Sequence, residues 1–206
     1  MKRIGLFGGS FNPIHNGHLH LADAARRALF LDQVLLMPAG EAPHKSSSAY
    51  APAKDRLAMC RLAAKQHPWL SVSDYETQRT GKSYTVLTLR HLHKKRPDVR
   101  WTLMIGSDML LTFNQWYRWE EILSIAGLAA VSRNPGDLAD LQSKAATLKT
   151  VCPQAEITVV QADALPLSST QIREKLQNGA DCSCLLPENV VQYIYRNGLY
   201  RGGCIE

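Results

Sequence analysis

Two kinds of hydrophobic pattern alternate along almost the whole chain. Short continuous apolar runs, which are typical of buried strands, alternate with segments whose apolar residues recur at helical spacing. The runs that predict strands lie at residues 4–7, 33–37, 70–73, 101–105, 128–131 and 157–160. The segments that predict helices lie at residues 53–66, 84–95, 119–125, 138–148, 169–177 and 189–195, with a further helix beginning near Gly17. Strands that alternate with helices favour a parallel sheet covered on both faces.

The expected fold class is therefore α/β, a Rossmann-like doubly wound parallel sheet with helices on both faces. The 206 residues are enough for one such domain, and no linker or internal repeat interrupts them. We expect residues 1–206 to form a single domain, with residues 167–206 as a small helical C-terminal subregion. In sheets of this kind ligands bind beyond the carboxyl ends of the strands, near the point where the strand order reverses.

Composition is that of an ordinary globular protein, with 45% hydrophobic and 20% charged residues. The sequence contains no apolar run near the ~20 residues that span a bilayer and no signal-peptide pattern, so we predict a cytoplasmic protein with no membrane partner. The net charge of +6 fits either a moderately basic protein or one that attracts anionic substrates. Basic residues form no long run, which argues against a nucleic-acid partner.

The cysteines predict free thiols rather than a metal site. The chain has five of them, an odd number, and Cys182 and Cys184 lack the spacing of zinc ligands. Free thiols are the usual state of cysteine in the cytosol.

The first 18 residues hold the strongest candidate for chemistry. A predicted strand ends at Gly8 and Gly9, a turn follows, and a helix begins near Gly17. Glycines after a strand can be purely structural, but next to a helix N-terminus they let an anion approach backbone N–H groups. The spacing differs from the dinucleotide fingerprint G-x-G-x-x-G, which disfavours a hydride-transfer enzyme.

His15 and His18 lie on either side of that helix start. Three residues apart, they share one side of the first helical turn, so both can face one ligand. A metal pair is disfavoured because no third ligand is nearby, and we predict no protein metal site. Two structural histidines remain an alternative. Beside a glycine turn, contact with a phosphate fits better, since an imidazole can donate a hydrogen bond to developing phosphoryl charge.

A second candidate for phosphate binding lies at residues 167–173, where a helix is predicted to open. Ser168 and Ser169 are good N-cap residues, and one interpretation is simply a capped helix. The other is a second helix N-terminus that presents N–H groups and hydroxyls to phosphates. Arg173, one turn further on, would add a cation able to form two parallel hydrogen bonds.

These two motifs carry a family resemblance. Residues 8–18, GGSFNPIHNGH, resemble the H-x-G-H motif of the nucleotidylyltransferase superfamily, and residues 168–173, SSTQIR, resemble its S-x-T-x-x-R motif. Segments between them, at residues 42–45, 82–85, 105–108, 116–117 and 133–135, resemble the bacterial nicotinate mononucleotide adenylyltransferases. The resemblance extends from residue 3 to residue 201, with the motifs in family order.

Three positions depart from the family pattern. Ser10 replaces a usual threonine, Asn12 a usual aspartate and Ala42 a common proline. Ser10 keeps the hydroxyl, and Asn12 keeps a turn-forming side chain without the charge, so a carboxylate role at position 12 is not expected.

The resemblance implies two overlapping sets of site residues. Those implied for ATP are Gly8, Gly9, Ser10, Phe11, His18, Gly106, Asp108, Arg133, Ser168, Thr170 and Arg173. Those implied for nicotinate mononucleotide are Ser10, His44, Lys45, Ser83, Tyr84, Thr85, Trp116 and Tyr117. Catalytic roles fall on His15, His18, Lys45 and Arg173.

Residues 82–85 lead into a predicted helix, so Thr85 and its neighbours would offer backbone N–H groups at a positive helix end that suits a nicotinate carboxylate. Ser83 and Thr85 could also serve only as helix caps. Trp116 could lie against the pyridine ring or be simply packed in the protein. Asp108 would contact a ribose hydroxyl.

The implied reaction is adenylyl transfer from ATP to nicotinate mononucleotide, which gives deamido-NAD and pyrophosphate. Mg²⁺ would be carried by ATP rather than held in a protein cage. Another small nucleotidylyltransferase, such as a pantetheine-phosphate adenylyltransferase or a cytidylyltransferase, is the alternative enzyme. A non-catalytic nucleotide-sensing domain is the alternative outside enzymes. Monomer and homo-oligomer both remain open.

Overall fold

The computed structural model describes residues 1–40, 50–132, 135–163, 165 and 167–201. Within them the strands are β1 (Lys2–Gly9), β2 (Gln33–Pro38), β3 (Leu70–Val72), β4 (Val99–Gly106), β5 (Gly127–Ser132) and β6 (Ile157–Gln161). The α-helices are α1 (Asn16–Ala28), α2 (Ala53–Ala64), α3 (Thr85–Lys95), α4 (Ser107–Leu111), α5 (Trp119–Ile125), α6 (Leu138–Val151), α7 (Ser169–Gln177) and α8 (Glu188–Arg196). Two 3₁₀ turns, Phe113–Gln115 and Pro135–Asp137, complete the described elements.

The strands form one sheet in the order β3-β2-β1-β4-β5-β6. The order reverses between β1 and β4, which pair in parallel with Phe7 opposite Met104. β5 pairs in parallel with β4 on one side and β6 on the other. The expected Rossmann-like α/β fold is confirmed, and the switch point lies beside the carboxyl ends of β1 and β4.

Contacts between Cα atoms divide the chain into two compact units. The first unit comprises Met1–Gly8, Leu21–Leu35 and Ser83–Ala164. Its core lies on β4 and β5, where all residues of β5 after Gly127 are buried. Since successive strand residues point to opposite faces, continuous burial shows that both faces of β5 are covered.

The second unit comprises Gly9–His20, Leu36–Lys82 and Leu165–Glu206. Within it, α8 packs beside α2: Asn189 donates to the Leu62 carbonyl at 2.8 Å, and the Tyr193 hydroxyl donates to Asp55 at 2.8 Å. Its buried apolar side chains include Phe11, Ile14, Leu36, Met37, Met59, Ile172, Leu186, Val190 and Ile194. These helices support the segments that follow β1 and β2.

The predicted strands and helices are present, with small differences at their ends. α6 continues beyond the predicted residue 148 to Val151, and the helix expected near Gly17 begins at Asn16. The sequence did not predict α4, which follows β4 directly and has only five residues. A segment that short cannot show helical periodicity.

Two further sequence expectations concern the cysteines and the membrane spans. Cys60, Cys152, Cys182 and Cys184 are free thiols, as predicted, and Cys204 lies outside the described residues. Among the described helices, none is both long and apolar enough to cross a membrane.

Gly40, just after β2, offers a test of close packing in the second unit. A Cβ atom at this position would lie 2.4 Å from the backbone oxygen of Glu76, which cannot move without shifting the chain. We expect Gly40→Ala to lower the free energy of unfolding by about 1–3 kcal/mol. Urea unfolding of Gly8→Ala provides the control, because a Cβ at Gly8 meets no atom within 4 Å. Equal stability of the two variants would contradict this prediction.

Candidate functional site

Hydrogen bonds join the two motifs that the sequence predicts to bind phosphate, within the second unit. Arg173 donates from Nη1 to the backbone oxygen of Asn12 at 2.9 Å, and the Ser169 hydroxyl donates to that of Pro13 at 3.0 Å. Gly17 also lies beside Leu167, since a Cβ at Gly17 would be 3.4 Å from the Cβ of Leu167, an ordinary contact distance. Motifs about 150 residues apart in sequence are therefore brought together, as two cooperating phosphate sites require.

His15 and His18 are in ring contact, with centroids 3.7 Å apart and planes tilted by 32°. His15 is 3% exposed, whereas His18 is half-buried. The backbone N–H of His15 donates to Nδ1 of His18 at 3.3 Å. Because Nδ1 accepts this bond, the neutral His18 ring carries its proton on Nε2, which is then a donor. The Phe11 ring packs against the His18 ring in an edge-to-face arrangement, with the ring centroids 5.1 Å apart, and restricts its orientation further.

α7 begins as a capped helix. The Ser168 hydroxyl accepts from the backbone N–H of Gln171 at 3.2 Å, which confirms the predicted N-cap. Thr170 is exposed in the first turn, and its hydroxyl accepts from Arg173 Nη2 at 3.2 Å. The first N–H groups of a helix lack intrahelical partners and carry partial positive charge, so this end favours an anion.

The turn after β1 is held in a constrained shape. Gly8 is exposed, and Gly9 and Ser10 are half-buried. Phe11 has φ +45°, in the left-handed region that side chains other than glycine rarely adopt, and it is 1% exposed. Such a conformation persists only where the surroundings fix it, and it occurs often at functional sites.

The side chain of Asn12 holds this turn in place through two hydrogen bonds. It is 1% exposed, and its Oδ1 accepts from the backbone N–H of Ala51 at 3.0 Å and from the Tyr200 hydroxyl at 2.7 Å. An uncharged amide oxygen suits such a buried position, where an isolated carboxylate would be costly. The expectation that position 12 carries turn structure rather than charge fits these contacts.

In the first unit, three of the residues implied for nicotinate mononucleotide lie at the start of α3. Thr85 is the first residue of the helix, and Tyr84 precedes it without a side-chain cap. The Ser83 hydroxyl is buried and has no hydrogen-bond partner among the described residues. A buried hydroxyl beside a helix N-terminus is suited to a ligand that supplies the missing partner.

Aromatic rings lie close to that helix start. The Tyr84 and Tyr117 rings are 4.9 Å apart, and Tyr117 is 55% exposed. Trp116 is half-buried, with its ring 5.2 Å from Phe113. This position is compatible with both interpretations of Trp116, packing within the protein and stacking on a flat ligand.

An ion-pair network connects α3 and α5. The Glu121 carboxylate accepts from both Nε and Nη2 of Arg90, and Arg118 lies 2.8 Å from it. These arginines hold the pKa of Glu121 below its usual value. Such exposed pairs contribute little stability, but a two-pronged contact fixes orientation.

The end of β4 brings two predicted residues together. A Cβ at Gly106 would lie 2.6 Å from an oxygen of the Asp108 carboxylate, so a larger residue there would displace this carboxylate from its position. Asp108 is exposed in the first turn of α4. An exposed carboxylate at a strand end is suited to accept hydrogen bonds from ribose hydroxyls.

Some predicted site residues cannot be placed, and one functional candidate was missed. His44, Lys45 and Arg133 lie outside the described residues. The sequence did not single out Arg56, which is buried and contacts the backbone of the turn after β1. Nothing in its pattern distinguishes it from an exposed helical arginine.

The described residues contain no group of three or more His, Cys, Asp or Glu side chains that could hold a metal ion. The donors brought together in the second unit are instead N–H and O–H groups, which bind anions.

Comparisons with known proteins agree with these features. A family model described as cytidylyltransferase-like matches residues 6–175. A protein of Synechococcus sp. (strain JA-3-3Ab) named "Probable nicotinate-nucleotide adenylyltransferase" is 42% identical over 201 residues, covering 97% of this chain and 95% of that protein. A protein of Halalkalibacterium halodurans with the same name is 41% identical over 202 residues, covering 98% and 92%.

The fold also has a solved counterpart. The structure described as "Plasmodium falciparum nicotinic acid mononucleotide adenylyltransferase complexed with NaAD" has a TM-score of 0.78. It covers 97% of this chain and 98% of its own, at 17% identity. At that identity, the likeness supports the fold.

Proposed function

We infer the function of this chain from its membership of the cytidylyltransferase-like family and, within it, of the nicotinate-nucleotide adenylyltransferases. It is a nucleotidyltransferase that joins ATP and nicotinate mononucleotide into deamido-NAD and releases pyrophosphate, a step of NAD biosynthesis. The observation that carries this function is the pair of phosphate-binding motifs held together through Arg173 and Asn12. The names of the relatives favour this acceptor over the pantetheine and cytidylyl alternatives.

We propose a direct in-line transfer. An oxygen of the mononucleotide 5′-phosphate attacks the α-phosphorus of ATP, and the bond from that phosphorus to the β-phosphate bridging oxygen breaks. Pyrophosphate leaves with the bonding electron pair. The described motif residues include no nucleophile activated by a neighbouring base, so catalysis rests on positioning and charge stabilisation.

We assign a role to each proposed phosphate-binding residue from the hydrogen-bond donors that it carries. His18 Nε2–H would stabilise charge on the transferring phosphate, with His15 stacked behind it. Arg173 and the α7 N-terminus, including Ser168 and Thr170, would hold the triphosphate. His44, Lys45 and Arg133 keep the roles that the family resemblance implies.

Mg²⁺ is proposed to enter with ATP. The N–H groups of the described site have no lone pair to offer this ion, whereas phosphate oxygens are good ligands for it. Bound there, it would neutralise part of the triphosphate charge. We propose that the reaction takes place in the cytoplasm.

Pyrophosphate release with each pyridine nucleotide tests this proposal. With ATP and Mg²⁺, we expect nicotinate mononucleotide to react at least about tenfold faster in kcat/KM than nicotinamide mononucleotide. The helix start at Thr85 offers donors, which match a carboxylate, whereas a neutral amide brings donors of its own.

The outcomes of this assay distinguish the identity of the acceptor from the reaction itself. No release with nicotinate mononucleotide would overturn the proposed function, and release with phosphopantetheine instead would favour the alternative enzyme. Equal rates with the two pyridine nucleotides would leave the reaction standing and remove carboxylate recognition at Thr85.

A further inference from the structure

Arg56 is a buried cation in the first turn of α2, within the second unit. It is 2% exposed, although arginine is seldom fully buried without partners. Its guanidinium donates hydrogen bonds to three backbone carbonyl oxygens. Nε donates to Ala51 at 3.1 Å, Nη1 to Ser10 at 2.7 Å and Nη2 to Gly40 at 2.7 Å.

These three carbonyls belong to different parts of the chain. Ser10 lies in the turn after β1, Gly40 follows β2, and Ala51 precedes α2. The backbone N–H of Ala51 also donates to the side chain of Asn12. Ala51 is therefore linked to the turn after β1 in two ways, directly through Asn12 and indirectly through Arg56. A single guanidinium therefore joins the predicted phosphate-binding turn to the residues that follow β2 and precede α2.

The chemistry of guanidinium suits this arrangement. Its planar fork directs several N–H groups at fixed angles, which an ammonium group cannot do. Burial lowers the pKa of Arg56, but arginine stays charged at neutral pH. The carbonyl partners are dipoles rather than anions. They orient the side chain without cancelling its charge.

We propose that Arg56 is a positioning residue for adenylyl transfer, which fixes the turn at Ser10 and Phe11 relative to Gly40 and Ala51. The proposal rests on the function proposed above. The left-handed conformation of Phe11 supports this role, since a strained residue needs its neighbours to hold it. Misplacement of a binding group by 1 Å can cost about 10²-fold in rate.

The test is chemical rescue of Arg56→Ala. We expect kcat/KM for the adenylyl transfer to fall on the order of 10²-fold, as expected for a displaced binding turn. Added guanidinium ion should restore a large part of the lost activity, because it can occupy the space that the side chain leaves. Equal concentrations of ammonium or sodium should restore none. A variant damaged only in its stability would not recover with guanidinium.

Arg56→Lys and Met59→Ala complete the design. Arg56→Lys keeps the charge but loses the fork, and we expect about a tenfold loss. Met59 is fully buried on the same helix, so Met59→Ala reports the effect of lost stability alone and should retain near wild-type kcat/KM. Wild-type activity in Arg56→Lys, or failure of guanidinium to restore Arg56→Ala, would overturn the positioning role. The wild-type rate in the same assay tests the proposed function separately.

Discussion

Replacing His18 with alanine is expected to lower kcat on the order of 10²- to 10³-fold, with little change in the KM for ATP. The reason is the fixed Nε2 donor. The backbone of His15 binds Nδ1, and the rings of His15 and Phe11 hold the plane of the imidazole. A donor that is oriented in advance stabilises developing charge more than it stabilises the bound substrate. Steady-state pyrophosphate release across a range of ATP concentrations measures both constants.

Two further variants separate this role from a structural one. His18→Gln places an amide N–H near the former position of Nε2, and we expect it to recover part of kcat. His20→Ala is the control, because residues two apart on a helix point to nearly opposite sides. Near-normal turnover in His18→Ala would remove His18 from the mechanism, and an equal loss in His20→Ala would show that helix damage explains the effect.

The strands and helices could be predicted because their signals are local. Continuous apolar runs, helical spacing, the N-cap at Ser168 and the glycines at strand ends can all be recognised within a few residues. The sequence predicted a parallel sheet but not the order of its strands, because strands far apart in sequence pair with one another. The division into two units was not predictable, since each unit combines three separate stretches of chain.

The candidate site was predictable to a similar extent. Motif spacing indicated that His15 and His18 lie together and that α7 presents phosphate donors. It could not show that His15 is buried behind His18, or that the Asn12 side chain supports the turn. Arg56 was missed for the same reason, since its contact with Ser10 spans 46 residues. Burial and long-range contacts are properties of packing, and a helical arginine has no local signal for either.

Replacing Arg173 with alanine is expected to reduce kcat/KM on the order of 10²- to 10³-fold, through a higher KM for ATP and a lower kcat. Arg173 combines two tasks. Its Nη1 holds the backbone of the turn at Asn12, and its Nη2 binds Thr170 at the start of α7. Removing the side chain therefore takes away a cation that we propose binds phosphate, and it breaks the hydrogen bond from Arg173 to Asn12 between the two motifs. Arg173→Lys keeps the charge alone and should lose about tenfold, because one ammonium cannot replace both contacts.

The exposed Lys175 on the same helix gives the matched control for charge. Lys175→Ala removes an equal positive charge from α7, so it reports what long-range attraction of ATP contributes. We expect its kcat/KM to stay close to wild type and to change little with salt. If Arg173→Lys were as active as wild type, the charge alone would explain the role of Arg173. If Lys175→Ala lost as much kcat/KM as Arg173→Ala, the overall positive charge of α7 would explain the loss. A large loss confined to Arg173, with partial retention in Arg173→Lys, identifies the geometry of its two contacts as the cause.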